Sequence, residues 1–423
     1  MKSKTGMNAD QHSPEMRQRI AVIVYGVSLV LGLMLCFSPG ANADGYRLPN
    51  QDPEAIARGN AFAATADNPA AIYYNPAGIT QIQGQQASAG LYLISTSEKF
   101  TSTSGATASV NTDFQPVPQI YYVFSPKDFP LSFGLGIYAP YGLAIDWGEN
   151  PPFQNVAEKG SLDYVTANPV VAWKILPQLS VAGGLTVNYA KASFTRGIGF
   201  TPNDQFYFSG DDTECGFNGG IFWQPIKMLA FGVNYRYSTT MQLGGHSTAY
   251  PYASAQPTSA SIRFPQNASV GMSFRPTDDW NFEFDADWTD WDSVNQIDFQ
   301  GTALGQPLPS LPQNYQSSWM YEFGVTRQLG KGYYASAGYI YSENSIPNQY
   351  FNPLIPDCNL SLASVGLGYN GARWTWAASY TLAFAQDRPV TGSVYDTGVP
   401  GGLVNGTYRE LNNAVNFSIG IKF

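Results

Sequence analysis

The last thirteen residues alternate almost without exception. Leu411, Val415, Phe417, Ile419, Ile421 and Phe423 fall on one face, and Asn412, Ala414, Asn416, Ser418, Gly420 and Lys422 on the other. Successive side chains of a strand point to opposite faces, so this segment is a β-strand with one greasy side. A half-buried strand of a soluble sandwich reads the same way, which leaves protein core and lipid bilayer both open. The pattern recurs from about Gln86 onward in fourteen segments. They lie near 86–98, 114–125, 130–139, 161–174, 178–194, 210–223, 227–243, 258–274, 280–299, 314–328, 332–343, 358–370, 372–386 and 410–423. Tight turns such as Leu176-Pro177-Gln178 and Asn370-Gly371 alternate with longer loops rich in Pro, Gly, Ser and Asn. An even strand count with short turns at one end and long loops at the other is the pattern of an all-β, antiparallel, fourteen-stranded transmembrane barrel.

The start of the chain favours the membrane. Arg17 and Arg19 precede an apolar run from Ile20 to Phe37, and Ala41-Asn42-Ala43 supplies a cleavage site, so residues 1–43 read as a secretory signal peptide. Beyond it no apolar run is long enough for a spanning helix. Mean hydropathy is −0.18, yet aromatics reach 14% and charged residues fall to 13%. A barrel exposes apolar residues at every second position, so a modest average hydropathy is expected of it. The signal segment carries four basic and two acidic residues, which takes the net charge from −9 to −9 − (4 − 2) = −11. An acidic chain is a poor nucleic-acid binder. Of the three cysteines, Cys215 and Cys358 survive processing and fall on distant strands, which argues against a disulfide.

Residues 44–85 differ in kind from the barrel, 86–423. They are Ala-rich, open a short helix at Asp52-Pro53, and carry two triplets, Asn68-Pro69-Ala70 and Asn75-Pro76-Ala77. Too short to fold alone, such a piece is expected to sit inside the barrel as a plug. Ala57-Arg58-Gly59-Asn60-Ala61-Phe62, followed by Ala66-Asp67 and Tyr74-Asn75-Pro76-Ala77-Gly78-Ile79, resembles the hatch of the FadL family of outer-membrane transporters for long-chain fatty acids and aromatic hydrocarbons. The likeness continues at Tyr138-Ala139-Pro140-Tyr141-Gly142-Leu143 and covers essentially the whole mature chain.

This resemblance implies passive transport of a hydrophobic small molecule, with an apolar pocket between loops and hatch and lateral release near a kink in the third strand. Gly134 and Gly136 suit that kink, although small residues there would equally make room for the hatch. The N-terminal Tyr46, Arg47 and Leu48 would gate the pocket. Candidate lining residues are Tyr138, Tyr141, Leu143, Ile145, Trp147 and Phe153 after the third strand, and Phe194, Ile198, Phe200, Phe206 and Phe208 in the next long loop, with loop self-packing as the alternative. Fatty acids stand slightly ahead of aromatic hydrocarbons as substrates, and Arg196, Arg236 and Arg47 are candidate carboxylate partners. Inward arginines in a barrel also belong to lumen networks, and the acidic row Glu283, Asp285 and Asp287 offers partners to Arg236, Arg263 and Arg275.

A bacterial outer-membrane monomer is expected, in contact with lipid and lipopolysaccharide, with Phe423 resembling the terminal aromatic that the barrel assembly machinery recognises. Surface receptor or adhesin is the alternative of another class. A hydrolase would need a His base, and the mature chain holds only His246, in an expected loop. The run Asp285, Asp287, Asp290, Asp292 lacks the central Gly and terminal Glu of a calcium loop. No metal, cofactor or phosphate loop is expected.

Overall fold

The computed structural model describes residues 45–110, 114–201 and 203–423, so the expected signal segment lies outside the described residues. Fourteen antiparallel strands run β1 Gly84–Ser102, β2 Phe114–Ser125, β3 Leu131–Tyr138, β4 Lys159–Leu176, β5 Leu179–Arg196 and β6 Gln205–Ile226. Three spans are then interrupted: β7 as Leu229–Arg236 and Thr239–Tyr250, β8 as Ala253–Phe264 and Asn267–Thr277, β9 as Trp280–Thr289 and Gln296–Gln300. Five more complete the wall: β10 Ser318–Gly330, β11 Tyr333–Ser342, β12 Leu360–Asn370, β13 Trp374–Ala385 and β14 Gly406–Lys422. Each strand pairs with its sequence neighbour, and β1 meets β14 in continuous register from Gln86↔Lys422 to Ser102↔Gly406. That last seam closes the sheet, and closure is what allows strands to stand in lipid with no unpaired edge.

Alternation decides which way each side chain looks. On β14, Phe417 is 52% exposed and Asn416 beside it 1%. On β5, Leu185, Val187 and Tyr189 face out, while Thr186 and Asn188 are buried inside. Exposed aromatics such as Trp173, Trp223, Tyr237, Trp319 and Trp374 complete an outer belt suited to the membrane interfaces. Cys215 is exposed and Cys358 buried, and both are free thiols.

The segment before β1 packs inside. Asp52 caps a short helix, Pro53–Ala57, by accepting from the N–H groups of Glu54 and Ala55, with Pro in the first turn. A second short helix spans Ala71–Tyr74 and a 3₁₀ turn spans Pro76–Gln81. Almost every residue from Asn50 to Thr80 is buried. The wall makes way for it: a Cβ on Gly232 would fall on the Ala63 carbonyl oxygen, and one on Gly338 would fall on the Arg58–Gly59 peptide.

Candidate functional site

The second Asn-Pro-Ala triplet shows how the inner segment is tied to the wall. Asn75 is extended, and the Pro that follows starts the 3₁₀ turn, which Asn75 caps through its side-chain oxygen and the Ala77 N–H. Its amide nitrogen donates to Ala63 O at 2.8 Å and to Ile221 O of β6 at 2.9 Å. One buried side chain therefore fixes a turn, a neighbouring loop and a strand.

The acidic row on β9 performs the larger part of the anchoring. Asp285 accepts the backbone N–H groups of Phe62 and Ala63 at 2.8 and 2.7 Å, and Glu283 accepts those of Ala64 and Thr65 at 2.8 and 2.9 Å. Thr65 Oγ1 also donates to Glu283. Asp287 binds Arg47. Each such hydrogen bond contributes about 0.5–1.5 kcal/mol net, and the four act together on the Phe62–Thr65 backbone. The sequence pairing of these acids with Arg236, Arg263 and Arg275 is corrected: Arg236 donates to Tyr138 Oη at 2.8 Å, Arg263 to Ser238 at 3.2 Å, and Arg275 lies 3.8 Å from Asp67. Backbone donors and Arg58 and Arg47 take the acids instead. These contacts span more than 200 residues of sequence, beyond the reach of any local pattern.

The wall is interrupted at β3. Strand β2 pairs with β1 from Phe114 to Ser125, but with β3 only from Ile120↔Ile137 to Phe124↔Phe133. After Tyr138 the chain leaves β2 at Ala139-Pro140 and returns as Gly142–Asp146, paired to β4 alone. Gly134 and Gly136 are not the place of departure, because both remain in register with β2 and β4. What they supply is room: a Cβ at either would press within 2.9 Å of Ile72. The missed signal is Pro116-x-Pro118 on β2, two residues without N–H on one side of a strand, which belong on an open edge.

The N-terminus pairs with the departing chain. Leu48 N donates to Pro140 O at 2.8 Å, Gly142 N to Tyr46 O at 3.0 Å, and Gln51 Nε2 to Ala139 O at 2.7 Å. Tyr46 packs edge-on against Trp291, ring centroids 4.8 Å apart, and against Phe264 at 5.8 Å.

Behind this pairing lies a cavity of about 570 Å³, within the range of small-molecule sites. Tyr46, Arg47 and Leu48 line it, with Tyr141, Leu143 and Ile145 from the stretch after β3, and Ile94, Met320, Ile340 and Leu362 from the opposite wall. Gln115 to Pro118, Ala139 and the outward-facing Val165 also border it, so it reaches the interruption in the wall. Of the other sequence candidates, Tyr138 is buried below, against Tyr73 and Arg236. Trp147 and Phe153 pack on each other and on Tyr408. Phe194 on β5 and Phe206 and Phe208 on β6 meet Phe299 in aromatic contacts within the same core that holds Tyr46 and Tyr141, Ile198 packs partly buried against that core, and Phe200 is 68% exposed beside Tyr252.

None of the candidate arginines presents an unengaged guanidinium to the cavity. Arg47 is bound to Asp287. Arg196 donates to Asn155 O and Gly197 O and lies over Phe206. Arg236 lies over Tyr73 and Tyr138, with its Nη2 lacking a partner, and lines a small polar space below.

Comparison with known proteins agrees with this architecture. The long-chain fatty acid transport protein of Escherichia coli O6:H1 is 23% identical over 77% of this chain and 83% of its own. The 47 kDa outer membrane protein of Pasteurella multocida is 22% identical over 88% and 94%. A crystallised Pseudomonas aeruginosa FadL homologue superposes with a TM-score of 0.80 at 19% identity, over 90% of this chain and all of its own. The Pseudomonas putida toluene transporter TodX gives 0.66 at 15%, over 90% and 98%. With residues 34–410 matched by the family's model, the chain belongs to the outer membrane protein transport family, OMPP1/FadL/TodX.

Proposed function

We propose that this outer-membrane barrel carries hydrophobic small molecules inward passively, with residues 44–85 as its hatch. Ligand enters from the loop end, occupies the cavity behind Tyr46–Leu48, and leaves sideways between β2 and the stretch after β3. The observation that supports this reading most is the continuity of an apolar cavity with an interruption in the wall. A greasy solute crossing by that route is never required to enter bulk water. The N-terminus supports a gating role, since the same residues line the cavity and satisfy the backbone freed where β3 leaves the sheet.

The test is uptake of an apolar fluorescent probe into liposomes holding the purified protein. Val117→Trp, which fills the lateral opening, is expected to lower uptake at least about fivefold while the barrel stays folded. Equal uptake by empty liposomes, or an unchanged rate in Val117→Trp, would sink the proposal. The absence of an unengaged cation on the cavity wall among the described residues favours neutral solutes such as hydrocarbons over carboxylates.

A further inference from the structure

The cavity has one polar end, and its chemistry is acceptor-rich. Glu98 on β1 and Glu410 on β14 stand in direct cross-strand register at the closing seam, and both line the cavity with Asp357 and Asn412. Carboxylates placed opposite one another repel unless a proton or a donor group lies between them. Glu410 is supplied, accepting from Cys358 Sγ at 2.8 Å and from Asn412 Nδ2, and one further hydrogen bond joins its carboxyl to that of Glu98, so the two acids share a proton and only the outer oxygen of Glu98 is left over. Glu98 is 5% exposed, and no N–H donor or hydroxyl reaches its Oε2. Asn412, 7% exposed, has used its amide nitrogen on Glu410, and its Oδ1 has no partner either.

The surrounding cations are committed elsewhere. Arg47, the one basic residue on the cavity wall among the described residues, is held bidentately by Asp287. Arg388 gives its guanidinium to Asn344 Oδ1, Asn348 Oδ1 and the carbonyls of Ile346 and Asp357. Two buried acceptors without donors, beside a satisfied carboxylate and at the end of an apolar chamber, call for a ligand that brings donors of its own.

We propose that the cavity selects apolar molecules ending in a hydrogen-bond donor, best of all a primary ammonium, and rejects carboxylates. The donor end sits between Glu98 Oε2 and Asn412 Oδ1, and the alkyl body lies against Ile94, Ile340 and Leu362. This specificity rests on the transport reading above, because it assigns the polar end of the same cavity. A carboxylate in this position would meet Glu98 and Glu410 with no cation to offset the repulsion, which costs more than the apolar contacts of a short chain return.

Calorimetry with n-octylamine, 1-octanol and octanoate at neutral pH, on the full barrel in amphipol, tests it. Octylamine is expected to bind at least about tenfold tighter than octanoate, the size of one charge-assisted hydrogen bond. In Glu98→Gln the ratio of octylamine to octanol affinity should fall about tenfold. Should that variant not fold, Asn412→Leu carries the test, with the same ratio falling. Octanoate binding as tightly as octylamine, or a ratio unmoved in the folded variant, overturns the specificity while leaving the cavity as a transport site. Failure of all three ligands to bind overturns both readings.

Discussion

Arg47 and Asp287 meet through two parallel hydrogen bonds, Nη1 to Oδ1 at 2.9 Å and Nη2 to Oδ2 at 2.7 Å, across 240 residues of sequence. Thr289 accepts a third from Nη1 at 3.0 Å. The pair fastens the N-terminal strand-like stretch to β9 at the small polar space below the cavity, while the same stretch pairs with the chain that leaves the sheet after β3.

Asp287→Ala leaves a buried guanidinium without its carboxylate, a change that costs about 3–5 kcal/mol. The cost falls on the segment around Arg47 and not on the barrel seam. Hydrogen exchange is therefore expected to rise at residues 45–51, while β1 and β14 keep their protection. Arg47→Met combined with Asp287→Leu should restore much of the protection, since an apolar pair leaves no uncompensated charge. Exchange unchanged in Asp287→Ala would mean that the ion pair does not hold the N-terminus.

Asn75→Asp keeps the shape and the cap on Ala77 but loses the N–H donors to Ala63 O and Ile221 O. Two buried carbonyls then face an acid, and each unsatisfied group costs about 1–3 kcal/mol. A lowered midpoint for heat unfolding is expected, with Asn75→Ala intermediate. Equal midpoints for both variants and the parent would show that the triplet contributes no stability.

The barrel was largely legible because lipid imposes a period of two on every strand. The breaks at Ser238, Gln266 and Asp290 to Asn295 were not: across the first two the apolar residues keep their period of two in sequence while the face they occupy changes, Tyr237 exposed but Met241 and Leu243 buried, Phe264 buried but Val270 exposed. The lining of the site was half legible. Tyr141, Leu143 and Ile145 border the cavity while Phe194 and Phe206 pack on each other. Composition makes both sets look alike, and what separates them is that the stretch after β3 pairs with the N-terminus while Phe194 and Phe206 extend β5 and β6. The use of Glu283 and Asp285 was hidden for a different reason. Their partners are backbone N–H groups, and backbone donors leave no mark on a sequence.

Gly232→Ala and Gly183→Ala form a matched pair. A methyl group at Gly232 would overlap the Ala63 carbonyl, whereas one at Gly183 meets nothing within 4 Å. Overpacking of a fitted interior costs about 1–3 kcal/mol, and here the backbone of the inner segment must shift to relieve it. The first variant is expected to raise proteolysis near residues 60–66 and the second to leave it unchanged. Equal proteolysis in the two would mean that the inner segment does not lie against β7.

Asp204 gathers four backbone N–H groups of its loop. Ile198 and Gly199 donate to Oδ1 at 2.8 and 2.9 Å, Phe200 and Thr201 to Oδ2 at 2.7 Å each. Burial acts to raise its pKa, but the four donors outweigh burial and hold the carboxyl below its usual value. A depressed folded value means that the loop's stabilisation is fully present above the ordinary carboxylate range and is lost as pH falls through the folded value. Exchange in residues 197–204 is thus expected to be flat from pH 7 to about 5 and to rise below about 4, where unfolded Asp takes up its proton. Asp204→Asn should show the fast exchange at every pH, because a neutral amide accepts more weakly and places its own N–H groups against two of the donors. A loop whose exchange in the parent protein does not change between pH 7 and 3, after correction for intrinsic rates, would rule out Asp204 as its organiser.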